Sequence, residues 1–127
     1  MFSFTSHLKI YLTLEPQDFR KSFNGLGAIV ENDLRLKLVD GGLHLFINKA
    51  RTRLKLLYFD GTGIWCSTKR LEQGTFSWPA AIESGQRYLS LSPEALQLIL
   101  DGVQLHKGTL RPWFERKMVS FKSVLLI

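Results

Sequence analysis

The dipeptide Asp60-Gly61 constrains this chain more than any other feature, because it stands between two runs with the two-residue period of β-strands. A tight hairpin turn needs a residue at positive φ, which glycine adopts without a Cβ penalty. Asp60-Gly61-Thr62-Gly63 is therefore expected to close a hairpin between Arg51–Asp60 and Ile64–Leu71. Asp40-Gly41-Gly42 marks a turn before a further apolar run, Leu43–Asn48, so three successive strands form a meander.

Around that meander the period changes. His7 to Leu14 alternates weakly and reads as a strand ended by Glu15-Pro16. From Pro16 onward Phe19, Phe23, Leu26, Val30 and Leu34 recur at helical spacing, with Glu15 and Asp18 near the positive end of the dipole. Gly25 and Gly27 inside that helix each cost about 1 kcal/mol relative to alanine, so the backbone must bend there or be approached closely, most cheaply by a sheet. Gly74–Ala81 leaves the sheet, and Arg87–Leu91 supplies another short strand. Ser92-Pro93-Glu94 opens a second helix with a capping hydroxyl, a proline at the first helical position and an early acid. Leu96, Ile99, Leu100 and Val103 line its inner face, and Gly102 lies where it ends. The class is α+β, an antiparallel β-meander sheet packed against two or three helices.

At 127 residues the chain suits one core, and no run of about 18 apolar residues is present to span a bilayer, so no membrane partner is expected. The N-terminus lacks the charged start and apolar stretch of a secretory signal, and the single cysteine, Cys66, cannot form an internal disulfide. These features point to the cytoplasm. The formal net charge is +6, and residues 41–80 carry six basic against two acidic side chains, whereas residues 1–40 carry five of each. A concentrated positive region favours polyanions such as nucleic acid, or acidic protein surfaces.

On an extended strand Arg51, Arg53 and Lys55 project from one face at intervals of roughly 6.7 Å. Closing the hairpin sets Phe59 opposite Ile64, Lys55 beside Thr68, Arg53 opposite Arg70 and Arg51 beside Glu72. Facing arginines ask for an anion between or above them. On the other face Leu54, Leu56, Tyr58, Trp65 and Leu71 gather as core, with Tyr58 opposite Trp65. If helices bury that face, Arg51, Arg53, Lys55, Lys69 and Arg70 are offered to a phosphate backbone, although alternation points Lys69 the other way. The competing reading is a solvated strand whose arginines pair with Glu72 and neighbouring acids. Arg20, Lys21 and Asn24 form a smaller polar group on the first helix. Phe76, Trp78, Trp113 and Phe114 fall in loops, where aromatic residues either seal a core edge or stack on a partner.

No catalytic constellation emerges. His7, His44 and His106 lack paired-ligand spacing, one cysteine completes no zinc site, and Gly61-Thr62-Gly63 is neither a dinucleotide loop nor a phosphate loop. Cys66 lies mid-strand among apolar neighbours, where a thiol is inert. Asp18, Asp60 and Glu72 could gather around magnesium only if they met in space, and Asp60 and Asp18 are better explained as turn and helix-start residues. No metal, no cofactor and no enzymatic activity are expected.

Three segments together resemble one family. Asp18-Phe19-Arg20-Lys21-Ser22-Phe23-Asn24-Gly25-Leu26, then Arg53-Leu54-Lys55-Leu56-Leu57-Tyr58-Phe59-Asp60-Gly61-Thr62-Gly63, then Lys69-Arg70-Leu71-Glu72-Gln73-Gly74-Thr75-Phe76-Ser77-Trp78-Pro79, are similar in order and spacing to the TnpB, or second-open-reading-frame, proteins of insertion sequence sixty-six elements. The likeness runs over roughly residues 7–112, implying a single accessory domain over residues 1–112 and a variable tail over 113–127. It implies an accessory protein for DNA transposition, encoded beside the element's transposase, without established enzymatic activity. Arg20, Lys21, Gly25, Lys55, Asp60, Gly61, Lys69, Arg70, Glu72, Trp78 and Pro79 are the residues carried over. DNA and the transposase are the implied partners: the basic hairpin would hold phosphates, or Trp78 and Pro79 with the central Lys/Arg surface would dock on the transposase.

Overall fold

The structure is a computed structural model that describes residues 8–104. The expected tail, residues 113–127, lies outside the described residues, as do His7 and His106. Among the described residues five strands form one sheet in the order β4-β3-β2-β1-β5. They are β1 (Ile10–Thr13), β2 (Leu43–Ile47), β3 (Arg53–Phe59), β4 (Ile64–Arg70) and β5 (Tyr88–Ser90). The helices are α1 (Phe23–Ala28), continued by a π-helical turn over Ile29–Asp33, and α2 (Pro93–Leu100), with a short 3-10 turn at Leu38–Asp40.

The meander is present: β2 pairs antiparallel with β3, and β3 with β4. The α+β class is as expected and the sheet is mostly antiparallel, with one parallel pair that makes it mixed. β1 runs parallel to β2, with Ile10 beside Leu43, while β5 pairs antiparallel with β1 on its other side. Parallel neighbours need a long crossover, and residues 14–42, carrying α1, supply it.

Both faces of the sheet are covered, a departure from expectation. On one face Ile10, Leu12, Leu43, Leu45, Ile47, Leu54 and Leu56 pack with Leu96 and Ile99 of α2 and with Phe76 and Trp78. On the other, Phe46 and Leu57 pack with Leu26, Ile29, Val30, Leu34 and Leu38. All five residues of β2 are buried, so this strand reads Leu-His-Leu-Phe-Ile with no polar side, as a strand sandwiched between layers should.

Local chemistry sets the helix ends. Ser92 caps α2, its Oγ accepting from the Ala95 N–H at 3.2 Å, with Pro93 in the first turn as expected. At the other end Gly102 takes φ +74°, the Val103 N–H donates to Leu98 O and the Gly102 N–H to Ile99 O, a Schellman closure. The first helix starts later than its apolar stripe suggests. Residues 18–21 instead form a turn in which Asp18 Oδ1 accepts from the Arg20 N–H at 2.9 Å, and Phe23 remains exposed. The close approach demanded by its glycines comes from the chain's own crossover, not from the sheet. A Cβ on Gly25 would lie 2.8 Å from Lys21 Cβ, and one on Gly27 3.1 Å from Leu38 Cδ1.

Candidate nucleic-acid interface

The hairpin registers as its turn requires: Phe59 faces Ile64, Tyr58 faces Trp65, Lys55 faces Thr68 and Arg53 faces Arg70. Asp60 organises the turn. Its Oδ1 accepts from the Thr62 N–H, the Thr62 hydroxyl and the Gly63 N–H, each at 2.9 Å, and its Oδ2 accepts from Trp65 Nε1 at 2.8 Å. These donors, the Thr62 backbone first, hold the Asp60 carboxyl far below the usual carboxylate range. Asp60 is thus committed to the turn. Among the described residues no group of three metal-ligating side chains forms. Trp65, expected in the core, is instead 56% exposed: β4 is an edge strand, and among the described residues neither core cluster includes Trp65.

Lys55 has a structural task. Its ammonium donates to Phe19 O at 3.1 Å and Lys21 O at 2.9 Å and lies 5.0 Å from the centre of the Phe19 ring. This tie consumes the charge that the sequence offers to phosphate. It also fastens the 18–21 turn against β3, so that Arg20 and Lys21 lie beside the hairpin face that carries Arg53 and Arg70.

The remaining cations differ in how free they are. Arg20 forks onto Asp18, with Nε to Oδ2 at 2.9 Å, and this pairing lowers the Asp18 carboxyl to about 2. Arg70 Nη2 lies 3.5 Å from Glu72 Oε2, both side chains largely exposed, which is a weak contact. The side chains of Lys21 and Arg53 have no carboxylate partner among the described residues. Arg51 is not on the strand: it takes φ +62° in the turn joining β2 to β3, closed by its N–H to Asn48 O at 3.0 Å. Asn48 completes that turn, its Oδ1 accepting from the Thr52 and Arg53 N–H groups. Arg51 therefore joins the basic group from the end of the sheet. Lys49, exposed in the same turn, stands with it and was missed because it falls between two strand-like runs. The Gln17 N–H donates to Ile47 O at 2.8 Å, bringing the 15–21 segment to this same end.

Two expected site residues belong elsewhere. Lys69 points to the opposite face, where its ammonium donates to Leu100 O at 2.6 Å and closes the C-terminus of α2. Trp78 is 7% exposed, with Nε1 donating to Thr13 O at 2.9 Å. It seals the core edge with Phe76, so it is not an exposed docking residue, and Pro79 follows it half-buried.

The model of the family described as IS66 Orf2 like protein matches residues 8–109. The chain is a member of the IS66 Orf2-like family. Two similar proteins come from Sinorhizobium fredii: uncharacterized protein y4jC, 34% identical over 105 residues (83% of this chain, 87% of that protein), and uncharacterized protein y4hO, 33% identical over 97 residues (76% and 82%). No solved structure matches. Membership associates this IS66 Orf2-like protein with transposition in an accessory capacity. No helix among its described residues is long and apolar enough to cross a membrane.

Proposed function

We propose that this IS66 Orf2-like protein is a cytoplasmic, non-catalytic accessory factor that grips the phosphate backbone of DNA at the basic end of its sheet. The observation that carries the reading is the cross-strand pair Arg53 and Arg70, flanked by the Arg20-Lys21 turn that Lys55 holds in place. Like charges set opposite one another on adjacent strands cost stability unless an anion bridges them. Phosphate contacts fix position without reading bases, which suits a factor that steadies an element's ends or its target for the transposase.

The test is fluorescence anisotropy of end-sequence and random duplexes across ionic strength. Counterion release gives a slope of log K against log salt of about −0.9 per phosphate neutralised, so Arg53→Ala with Arg70→Ala should reduce its magnitude by about 2. No binding at low salt, or an unchanged slope in the double variant, sinks the reading.

A second reading, docking on the transposase without contact to DNA, has its own observation: Trp65 and Ile64 are 56% and 38% exposed at the end of the outermost strand. Exposed aromatic residues of this kind anchor protein interfaces. Co-purification with the transposase from nuclease-treated extract, abolished by Trp65→Ala in a protein that never shifts naked DNA, would put this reading first.

A further inference from the structure

The crossover leaves one aromatic side chain uncovered where its pattern calls for a packed one. Phe19, Leu26, Val30 and Leu34 of its apolar stripe belong to the cluster around Phe46 and Leu57 or pack against it. Phe23, in the same stripe, is 47% exposed. It precedes Leu26 and Gly27, both buried, by three and four residues, so the helix turns it to the sheet side. A ring left there in solvent forfeits the large area that aromatic residues contribute when buried. Among the described residues no ring stacks on it and no cation lies over it.

What borders that ring is cationic. Leu57 belongs to the cluster on the α1 side and Cys66 packs against it, so alternation places Arg53, Lys55, Thr68 and Arg70 on the same side. α1 lies over β3 and β4. Lys55, the partner of Thr68, donates to Lys21 O at 2.9 Å and so fixes the start of the helix beside the Arg53-Arg70 pair. Thr68 and Arg70 are exposed on β4, an edge strand among the described residues. The uncovered ring and the phosphate-seeking cations therefore share one side of one sheet edge. A grip made of cations alone favours duplex DNA, which carries more charge per unit length than one strand. In a duplex, however, the base faces are stacked on one another, and a phenyl ring meets none of them. An unpaired strand offers a π-face at every base, and an aromatic side chain beside a cationic track is the arrangement that holds it.

We propose that the basic end of the sheet takes single-stranded DNA, with one base stacked on Phe23 and the adjoining phosphates on Arg53, Arg70 and Lys21. The inference rests on the phosphate-backbone reading and adds what cations alone do not specify, the strandedness of the DNA.

The test is fluorescence anisotropy of the full chain at one salt concentration with three labelled probes of about 16 nucleotides, a thymidine oligomer, a uridine oligomer and a mixed-sequence duplex. The thymidine oligomer should bind about 10-fold or more tightly than the duplex. Phe23→Leu keeps an apolar side chain at an exposed position but removes the aromatic face. It should weaken the thymidine oligomer by about 10-fold, the loss of one stacked base, and leave the duplex unchanged. Phe23→Trp should bind the oligomer at least as tightly as the natural chain. Arg53→Ala with Arg70→Ala should weaken oligomer and duplex together. If no probe binds, the phosphate-backbone reading fails and takes this inference with it. If the duplex is bound as tightly as the oligomer and Phe23→Leu matches the natural chain on both, this inference is overturned and the phosphate grip stands. Equal loss of oligomer and duplex in Phe23→Leu makes Phe23 a structural residue and also overturns it. A uridine oligomer bound more tightly than the thymidine one keeps the stacking seat but overturns DNA as its occupant.

Discussion

Lowering the pH from 7.5 to 5.5 should destabilise this protein through one side chain, His44. It is fully buried on β2, its ring stacked on Tyr11 at 5.2 Å between centroids, and neither ring nitrogen has a hydrogen-bond partner among the described residues. Burial favours the neutral imidazole and pushes its pKa from 6.5 down to about 4. The unfolded chain therefore takes up the proton more readily than the native one. Stability from this group is complete well above pH 6.5, declines as the pH falls below 6.5, and levels off below about 4. The full difference corresponds to about 3.4 kcal/mol, of which about 1.3 kcal/mol falls between pH 7.5 and 5.5. The assay is urea unfolding followed by circular dichroism at both pH values, for the natural chain, His44→Phe and His44→Leu. Carboxylates and the other histidines titrate alike in all three and cancel. The natural chain should lose about 1.3 kcal/mol more than either variant over that interval. If the three lose equal stability, the reasoning about an unsolvated, unpaired imidazole is wrong.

Other outcomes follow from contacts already described. Lys69→Met should lower stability by about 1 kcal/mol by uncapping α2, yet leave the salt slope of DNA binding unchanged; a large loss of binding in a stable variant would return Lys69 to the interface. Gly102→Ala forces a side chain into the left-handed region and towards Leu71 Cδ2 at 3.0 Å, and should cost about 1–2 kcal/mol in thermal unfolding. Lys55→Met should free the 18–21 turn, losing about 2 kcal/mol and weakening DNA binding as much as Lys21→Ala does; hydrogen exchange at residues 18–22 reads the loosening directly. Asp60→Asn keeps the shape of the turn but leaves one oxygen to accept, uncharged, and sets an amide NH2 where the other carboxylate oxygen accepts, so the stability difference between the two proteins should shrink once the pH is low enough to protonate Asp60.

Local chemistry was the legible part. The Asp60-Gly61 hairpin, its register, and the cap and closing glycine of α2 depend on residues within a few positions of one another, and all are found as expected. What depends on distant partners was not. A strand, a helix and a strand in succession over residues 7–48 carried the βαβ order that produces a parallel pair, but the meander that follows invited an antiparallel reading throughout. Alternation in β3 said which residues share a face, not that both faces would be covered. Trp65 is exposed near one end of the edge strand β4, whereas Trp78, outside every strand, folds back onto the core and seals it, one of the two roles its loop position left open.

Within the candidate site the pattern of charge was visible and its division of labour was not. Lys55 and Lys69 spend their ammonium groups on backbone carbonyls 31 or more residues away, which no spacing rule reveals. Several residues shared with the family signature, among them Gly25, Asp60 and Trp78, hold the fold together instead of meeting a partner.

The position of β1 sets the order in which the molecule can be completed. Among the described strands it leaves the ribosome before the others, yet its neighbours are β2, about thirty residues on, and β5, whose last residue is Ser90. The 43–71 meander can therefore gather while β1 waits, and the nascent protein carries an open sheet edge until the penultimate part of the domain emerges, a window in which a second copy or a chaperone has the same backbone to pair with.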